Sequence, residues 1–493
     1  MNSHAGSAAN MPWKATVGLE LHAQLAASQK LFSAASAKWN DPPNTNVNAV
    51  DAGLPGSMPR LNPDCVELAA RAILSLNGRV QPMSYFDRKH YFYSDQPLGY
   101  QITQQQQPIG RGGHIELGPM DGLSYTKRVR IHQLQLEQDT AKSIHGMYAG
   151  HTLIDLNRAG VGLIEIVTEP DMETADEAIR FIRKIQALLR HVGVSSCNME
   201  DGSLRCDVNV SVYHSTESRL SGTRCELKNL NSLKTIRGAI DAEVLRQTEL
   251  IASGNVVQQE TRGFDAQSGK TVLARSKETA PDYRYMPEPD LPSVHITEDW
   301  VELVRSSLPE LPEAMISRVV QQYGLVREDV VTMLGEPGCI KFFEQVAKGR
   351  DPKRVAAWIT SEVFGQLSYR AQRLSECTLS VQQFAGLFDA MSRKSITSAQ
   401  AKQLLIEFMN GSAHTADELI KAHGWEVMDD LEQIRDLGVQ LLAKHPKEAA
   451  EYRAGRQRRL NFFVSQIVAA TKGQARPQDV SRIVKELLDA RNE

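Results

Sequence analysis

Four stretches of the chain set charged and hydrogen-bonding side chains at every second position. In VGLELHAQL (17–25), Glu20 and His22 fall with Gly18 and Gln24, opposite Val17, Leu19, Leu21 and Ala23. In HQLQLEQD (132–139), Glu137 and Asp139 fall with Gln133 and Gln135, opposite Leu134 and Leu136. In SLRCDVNVSV (203–212), Arg205, Asp207 and Asn209 oppose Leu204, Cys206, Val208 and Val210, and in TRCELK (223–228), Arg224, Glu226 and Lys228 oppose Cys225 and Leu227. Side chains two apart on a strand point the same way, close enough to share one ion. Carboxylates with one imidazole suit Mg2+ or Mn2+ better than zinc. Cross-strand salt bridges on an exposed face give the same pattern, and spacing alone leaves both readings open.

Aromatic side chains alternate with bases elsewhere. FDRKHYFYSDQPLGYQITQ (86–104) sets Phe86, Tyr91, Phe92, Tyr93 and Tyr100 among Asp87, Arg88 and Lys89, and YRYMPEPDLP (283–292) sets Arg284 between two tyrosines. Such mixtures stack unpaired bases and hold phosphates; strand packing is their commoner meaning. Residues 441–493 hold eleven Lys/Arg against six Asp/Glu, concentrated at Arg453, Arg456, Arg458 and Arg459. That run is either a solvated helix face or a phosphate-backbone contact. There is no G-x-x-x-x-G-K-[ST] loop, no dinucleotide G-x-G-x-x-G between strand and helix, and no G-x-S-x-G elbow or Gly/Ser-rich amidase nucleophile.

The elements that must position these residues follow from period and punctuation. Up to about residue 290, period-two alternation predicts half-buried strands of an antiparallel or mixed sheet. Two helices interrupt them: one opened by the capping box Thr174-Ala-Asp-Glu177, and one from about Lys234 to near Gly254. The proline-rich Pro287–Pro292 run predicts a boundary near 290. Beyond it the spacing is helical, with a capping-box candidate at Thr397–Gln400 and apolar stripes at Leu460, Phe463, Val464, Ile467, Val468 and at Val480, Ile483, Val484, Leu487, Leu488. The expected class is α+β.

Composition narrows the function classes. The 493 residues are 41% hydrophobic and 23% charged, with a net charge of −3. That is globular composition, and it argues against a non-specific polyanion binder. No run of about 18 apolar residues occurs, so no membrane span is expected. Six scattered cysteines without a Cys-x-x-Cys pair suit a reducing compartment and argue against structural zinc. The N-terminus has no acidic residue before Glu20 and only Lys14 as a strong base, a poor mitochondrial leader at most.

In chain order, VGLELHAQL, KLFS, FDRKHYFYSDQPLGYQIT, LIDLNRAGVGLIEIVTEPDM, MEDGSLRCDVNVSV, ELKNLNS, QETRGF and DYRYMPEPDLP closely resemble the GatB family, the B subunits of the glutamyl-tRNA(Gln) amidotransferases, in its organellar-like form. The likeness runs from about residue 15 to the end. It implies a β-rich catalytic cradle over 15–290, a helical domain over 291–372 and a YqeY-like tRNA-binding tail over 373–493, after a flexible N-terminus or leader remnant at 1–14. It implies conversion of misacylated Glu-tRNA(Gln) to Gln-tRNA(Gln): ATP with Mg2+ phosphorylates the tRNA-bound glutamate, and ammonia from a partner amidase of the same complex displaces the phosphate. A small third subunit binds the amidase and the GatB chain together. The implied compartment is the mitochondrial matrix or, alternatively, the bacterial cytoplasm; DNA is not an expected partner. A non-catalytic tRNA-binding scaffold with the same fold is the alternative reading.

The resemblance also assigns residues. Glu20 and His22 match the family's Glu-x-His metal ligands. The family's Glu-Glu-Asp motif is Glu137-Gln138-Asp139 here, which leaves the third ligand between Glu137 and Gln138. Asp139, Arg205 and Asp207 join the expected catalytic set. Arg224, Glu226 and Lys228 are expected at the nucleotide, with Arg205, Arg224 and Lys228 able to clamp a phosphoryl group. Arg88, Tyr91, Tyr93, Tyr100 and the four tail arginines are expected at tRNA. The missing amidase nucleophile fits a division of labour with the partner amidase.

Overall fold

The computed structural model describes residues 12–38, 40–276, 282–425, 431–471, 475 and 477–490. Two compact units divide between Leu311 and Pro312. The class is α+β, as expected.

The first unit is organised on one strand, β1 (Trp13–Gln24). Val17, Leu19, Leu21 and Ala23 are at most 1% exposed, so one face of β1 is wholly core. The other strands of the main path are β2 (Asp87–His90), β3 (Tyr100–Thr103), β4 (Lys127–Gln138), β5 (Gly162–Thr168), β6 (Leu204–His214), β7 (Cys225–Leu227), β8 (Glu260–Asp265), β9 (Lys270–Ser276) and β10 (Met286–Pro287). Their order is β9-β8-β7-β6-β1-β5-β4-β3-β2-β10, and three short strands, Arg79–Val80, Gly110–Arg111 and His114–Leu117, complete the sheet along β4. The pairings are antiparallel except β7 with β8.

Helices α1 (Pro63–Ser75), α2 (Ala175–His191) and α3 (Leu233–Ala252) bury their apolar stripes in the same core as β1, through residues such as Ala69, Ile73, Ile182, Ile185, Ile236 and Ile240. A sheet needs only one face covered. With the apolar face closed by helices, the polar side chains of the alternating strands gather on the opposite face. The Thr174 hydroxyl caps α2 by accepting from the Glu177 N–H. The Glu177 carboxylate accepts from the Glu173 N–H at 2.6 Å rather than from Thr174, so the expected box closes one residue early.

A bulge in β4 sets which side chains reach the polar face. Val129 and Ile131 are buried, then Leu134 and Leu136, a break in period two. The ladder with β5 shifts there, between Val167 opposite Gln133 and Thr168 opposite Ile131. The extra residue carries Gln133, Gln135 and Glu137 to the polar side. It lies upstream of Gln138, which keeps the phase of Leu136 and faces away from Glu137.

The boundary expected near 290 lies farther on. The proline-rich segment is sewn into the sheet: Met286 and Pro287 pair with Arg88 and Asp87. Arg88 donates from Nε and Nη2 to both oxygens of Glu288, each at 2.8 Å, and its guanidinium lies 4.3 Å from the Tyr100 ring centre. Leu291 and helix α4 (Glu298–Ser307) then pack on the cradle core through Trp300, Val301 and Val304. The expected leader lies outside the described residues up to residue 11, while Trp13 and Lys14 are already strand.

The second unit is helical. One apolar core runs from Ile316 to Ile420, unbroken across the boundary expected at 372, and a separate core runs from Ile434 to Leu488. The Thr397–Gln400 capping box forms. Both C-terminal stripes enter the last core, through Phe463 and Ile467 and through Val480, Ile483, Val484 and Leu488.

Arg88 is thus tied to the 283–292 segment through Glu288, with the Tyr100 ring against its guanidinium. The Glu288 side chain is fully buried, so removing its partner leaves an uncompensated charge that costs about 3 kcal/mol. Arg88→Ala is expected to lower the melting temperature and open residues 283–292 to limited proteolysis. Unchanged melting with weakened tRNA binding would return Arg88 to the tRNA surface.

Candidate functional site

The polar face is laid out by the ladder. Glu20 of β1 sits opposite Asp207 of β6, and His22 sits opposite Arg205 of β6 and Glu165 of β5. Glu165 in turn faces Gln135 of β4, and Glu137 faces Thr103 of β3. One row of side chains therefore crosses four strands.

Two acidic triads form on this face, each with ligand-type atoms within 4.8 Å of one another. The first is His22, Glu137 and Glu165. His22 Nε2 lies 3.3 Å from Glu137 Oε1 and 3.8 Å from Glu165 Oε1. The second oxygen of each acid is held from behind. The Thr103 hydroxyl donates to Glu137 Oε2 at 3.2 Å, and the Gln135 amide donates to Glu165 Oε2 at 2.6 Å. Outer partners of this kind orient metal ligands. One nitrogen and two oxygens converge, a donor set that fits a divalent cation such as Mg2+ or Mn2+. Burial, then the neighbouring Glu137 charge, pushes Glu165 up to about 7, against the pull of His22.

The second triad is Glu20, Asp207 and Glu226, and it already holds a cation. Lys228 Nζ lies 2.6 Å from Asp207 Oδ2 and 3.0 Å from Glu226 Oε1. Burial alone would lower the Lys228 ammonium, but Asp207 and Glu226 outweigh it and hold it charged above the ordinary lysine range. Asn209 donates to Glu20 Oε1 at 2.9 Å and Thr261 to Glu226 Oε2 at 3.0 Å. Glu20 and His22 therefore belong to two adjacent triads rather than to one.

The remaining expected residues separate. Asp139 Oδ2 lies 2.6 Å from Arg205 Nη2 and 3.6 Å from Arg158 Nε, an anchor for two cations. The buried Arg205 Nε has no hydrogen-bond partner among the described residues. The Gln138 amide donates to the Tyr100 carbonyl at 3.4 Å, so Glu137 and not Gln138 joins the triad. Arg224 makes no ion pair among the described residues and lines a cavity of about 240 Å3 with Gly18, Glu20, Asn209 and Ser211. Tyr91, Tyr93, Tyr283 and Tyr285 form a chain of rings with centres 5.9 to 6.4 Å apart. Burial raises Tyr91 and Tyr285, and the charge of Glu137 adds to both, so this aromatic wall flanks the first triad. Phe92 and Tyr93 remain exposed. In the tail, Arg453 Nε donates to the Leu488 carbonyl, a structural use, while Arg456 and Arg459 share Glu451.

Glu165 is not visible in the sequence pattern. Its strand, LIEIV, is apolar on both sides of it, and such runs look like buried core. The one signal is the cost of a carboxylate inside that run. Lys89, whose charge reaches Glu165, reads in the sequence only as part of an aromatic-basic stretch.

A carboxyl that titrates near 7 must lose its proton to ligate a metal, so metal binding weakens as pH falls through that value. Mn2+ affinity, followed by the EPR signal of free ion, is expected to drop at least tenfold between about pH 8 and about pH 6. Glu165→Gln should bind weakly at both. Equal wild-type affinity at the two pH values would remove Glu165 from the ligand set.

Known proteins share this chain's sequence along most of its length. Residues 15–302 match the family model described as the GatB/GatE catalytic domain, and residues 341–488 match one described as the GatB domain. The B subunit of a mitochondrial glutamyl-tRNA(Gln) amidotransferase from Naegleria gruberi is 42% identical over 487 residues, covering 96% of this chain and 94% of that protein. The B subunit of an aspartyl/glutamyl-tRNA(Asn/Gln) amidotransferase from Granulibacter bethesdensis is 42% identical over 476 residues, covering 97% and 98%. Its counterpart from Rickettsia bellii is 40% identical over the same length. With both family models in order and full-length relatives this similar, the chain belongs to the GatB family, the B subunits of tRNA-dependent amidotransferases.

Proposed function

We propose that this chain activates the γ-carboxylate of glutamate esterified to tRNA(Gln) as an acyl phosphate, using ATP and Mg2+, and transfers that γ-acyl group to ammonia with the tRNA ester intact. The observation that carries the reading is the His22, Glu137 and Glu165 triad, set on the polar sheet face beside Arg205 of the neighbouring strand and an aromatic wall. A γ-carboxylate oxygen attacks the γ-phosphorus of ATP, the bond to the β-phosphate oxygen breaks, and ADP leaves. Ammonia then attacks the acyl carbon and phosphate departs, leaving the amide.

The substrate carboxylate and the triphosphate repel each other, so the site must neutralise charge as it aligns them. Mg2+, held by His22, Glu137 and Glu165, supplies that neutralisation when bound. Arg224 meets the nucleotide phosphates at the cavity beside Glu20. Arg205, anchored by Asp139, brings its guanidinium charge beside His22 toward the transferring phosphoryl. Tyr91, Tyr93 and the exposed Phe92 face the acceptor end of the tRNA, where ring faces take unpaired bases. The ammonia comes from a partner amidase held with this chain by a small third subunit, since no amidase nucleophile is present in the sequence. The tail grips the body of the tRNA. The mitochondrial matrix is the compartment we favour, with the bacterial cytoplasm the equivalent setting for its bacterial relatives.

Amidation of Glu-tRNA(Gln) with ATP and free ammonia tests the assignment. His22→Ala is expected to lower the rate by at least a thousandfold, the loss of several kcal/mol of charge stabilisation, with the fold intact by circular dichroism. A near-normal rate in the folded variant would refute it. The chain alone should not hydrolyse glutamine, and measurable turnover would contradict the division of labour.

The tail makes a separate prediction. Arg456, Arg458 and Arg459 changed together to Ala should reduce the slope of log affinity for tRNA against log salt by up to about 3, because fewer counterions are released. Superimposable salt curves would mean that these arginines only solvate their helices.

A further inference from the structure

One ion pair of the cradle lies wholly inside it. The Lys30 side chain is 0% exposed, and its Nζ lies 3.1 Å from Oδ2 of Asp51, whose side chain is 2% exposed. The Ser33 hydroxyl donates to Asp51 at 3.1 Å and the Asn48 N–H at 2.8 Å, so the carboxylate is answered from three sides. A well-packed apolar pair of similar volume often serves stability as well as a buried ion pair or better. An apolar pair could not supply the second bond of the ammonium, which Lys30 Nζ donates to the Leu156 carbonyl at 3.2 Å.

Leu156 opens the turn 156–161, and that turn brackets Asp139. The Asp139 N–H donates to the Val161 carbonyl at 2.8 Å, and the Gly160 N–H donates to the Asp139 carbonyl at 2.9 Å. The Leu31 N–H, next in the chain to Lys30, donates to the Gly160 carbonyl at 2.9 Å. Lys30 and its neighbour therefore hold the turn at both ends. Gly160 has a φ of +79°, and a Cβ there would stand 2.6 Å from Asp51 Oδ1, so the turn lies directly on the ion pair. Asp139 in turn holds Arg205, whose Nη2 is 2.6 Å from Asp139 Oδ2, and Arg205 sits opposite His22 in the ladder.

We propose that Lys30 is a positioning residue: through the Leu156 carbonyl and the 156–161 turn it fixes Asp139, and so the place of the Arg205 guanidinium beside His22. This rests on reading the acidic face as a phosphoryl-transfer centre. A shift of about 1 Å in a group that meets the reacting atoms costs on the order of a hundredfold in rate, so a lysine that bonds to no substrate governs the reaction through the turn.

A double-mutant cycle on the assembled complex tests this, read as kcat for amidation of Glu-tRNA(Gln) with ATP and free ammonia. His22→Ala is measured first. A near-normal rate there would refute the phosphoryl-transfer reading, and this proposal with it, before any Lys30 variant is made. Lys30→Met is expected to lower kcat by on the order of a hundredfold, with the KM for ATP changed by no more than about twofold. In an Asp139→Asn background the same substitution should cost less than about threefold, because the anchor it acts through is already gone. Lys30→Met with Asp51→Leu removes both buried charges and is expected to melt no lower than wild type. It should keep the kcat loss, because the Leu156 carbonyl still lacks the ammonium. Equal losses from Lys30→Met in the two backgrounds would mean that Lys30 supports the fold and not Asp139, and would overturn the proposal. A wild-type kcat in folded Lys30→Met with Asp51→Leu would overturn it even if Lys30→Met alone failed to fold.

Discussion

Five carboxylates on one sheet face repel one another. Glu20, Glu137, Glu165, Asp207 and Glu226 come from five adjacent strands, in two groups whose ligand atoms all lie within 4.8 Å. In a partly buried setting such charges cannot stay uncompensated. Much of the surrounding structure supplies the compensation: Lys228 in one triad, a raised carboxyl at Glu165 in the other, Asn209, Thr103, Gln135 and Thr261 as fixed donors, and Arg205 held nearby by Asp139.

The scaffold makes that concentration of charge tolerable. The opposite face of β1 is closed by three helices, and the apolar surface buried there supplies the stability that the polar face erodes. The bulge in β4 brings Glu137 to the site, and the Arg88–Glu288 pair closes the far edge with the 283–292 segment. In the proposed reaction the same negative face receives two further anions, a triphosphate and a carboxylate. On that proposal, lysine and arginine side chains are joined by a divalent ion in balancing the charge of this small surface.

Much of this was legible in the sequence, because period two says which side chains share a face. Glu20 with His22, Arg205 with Asp207, and Glu226 with Lys228 all appear where alternation puts them. Which residues group together was not legible, since grouping depends on register between strands far apart in sequence. So Glu20 and His22 looked like partners, yet belong to different triads, and Glu165 was hidden in an apolar run. The domain boundary at 290 was misplaced for a related reason. Proline ends a local element, but Arg88, about 200 residues earlier, ties the proline-rich segment into the sheet.

The most direct measurement follows one atom. Glu-tRNA(Gln) carrying oxygen-18 in its γ-carboxylate, amidated with ATP and ammonia by the complex, should release phosphate containing one labelled oxygen per turnover, and a folded Glu165→Gln complex should release almost none. Unlabelled phosphate from the wild-type complex at full amidation would contradict the account, because the carboxylate would then never have been bonded to phosphorus.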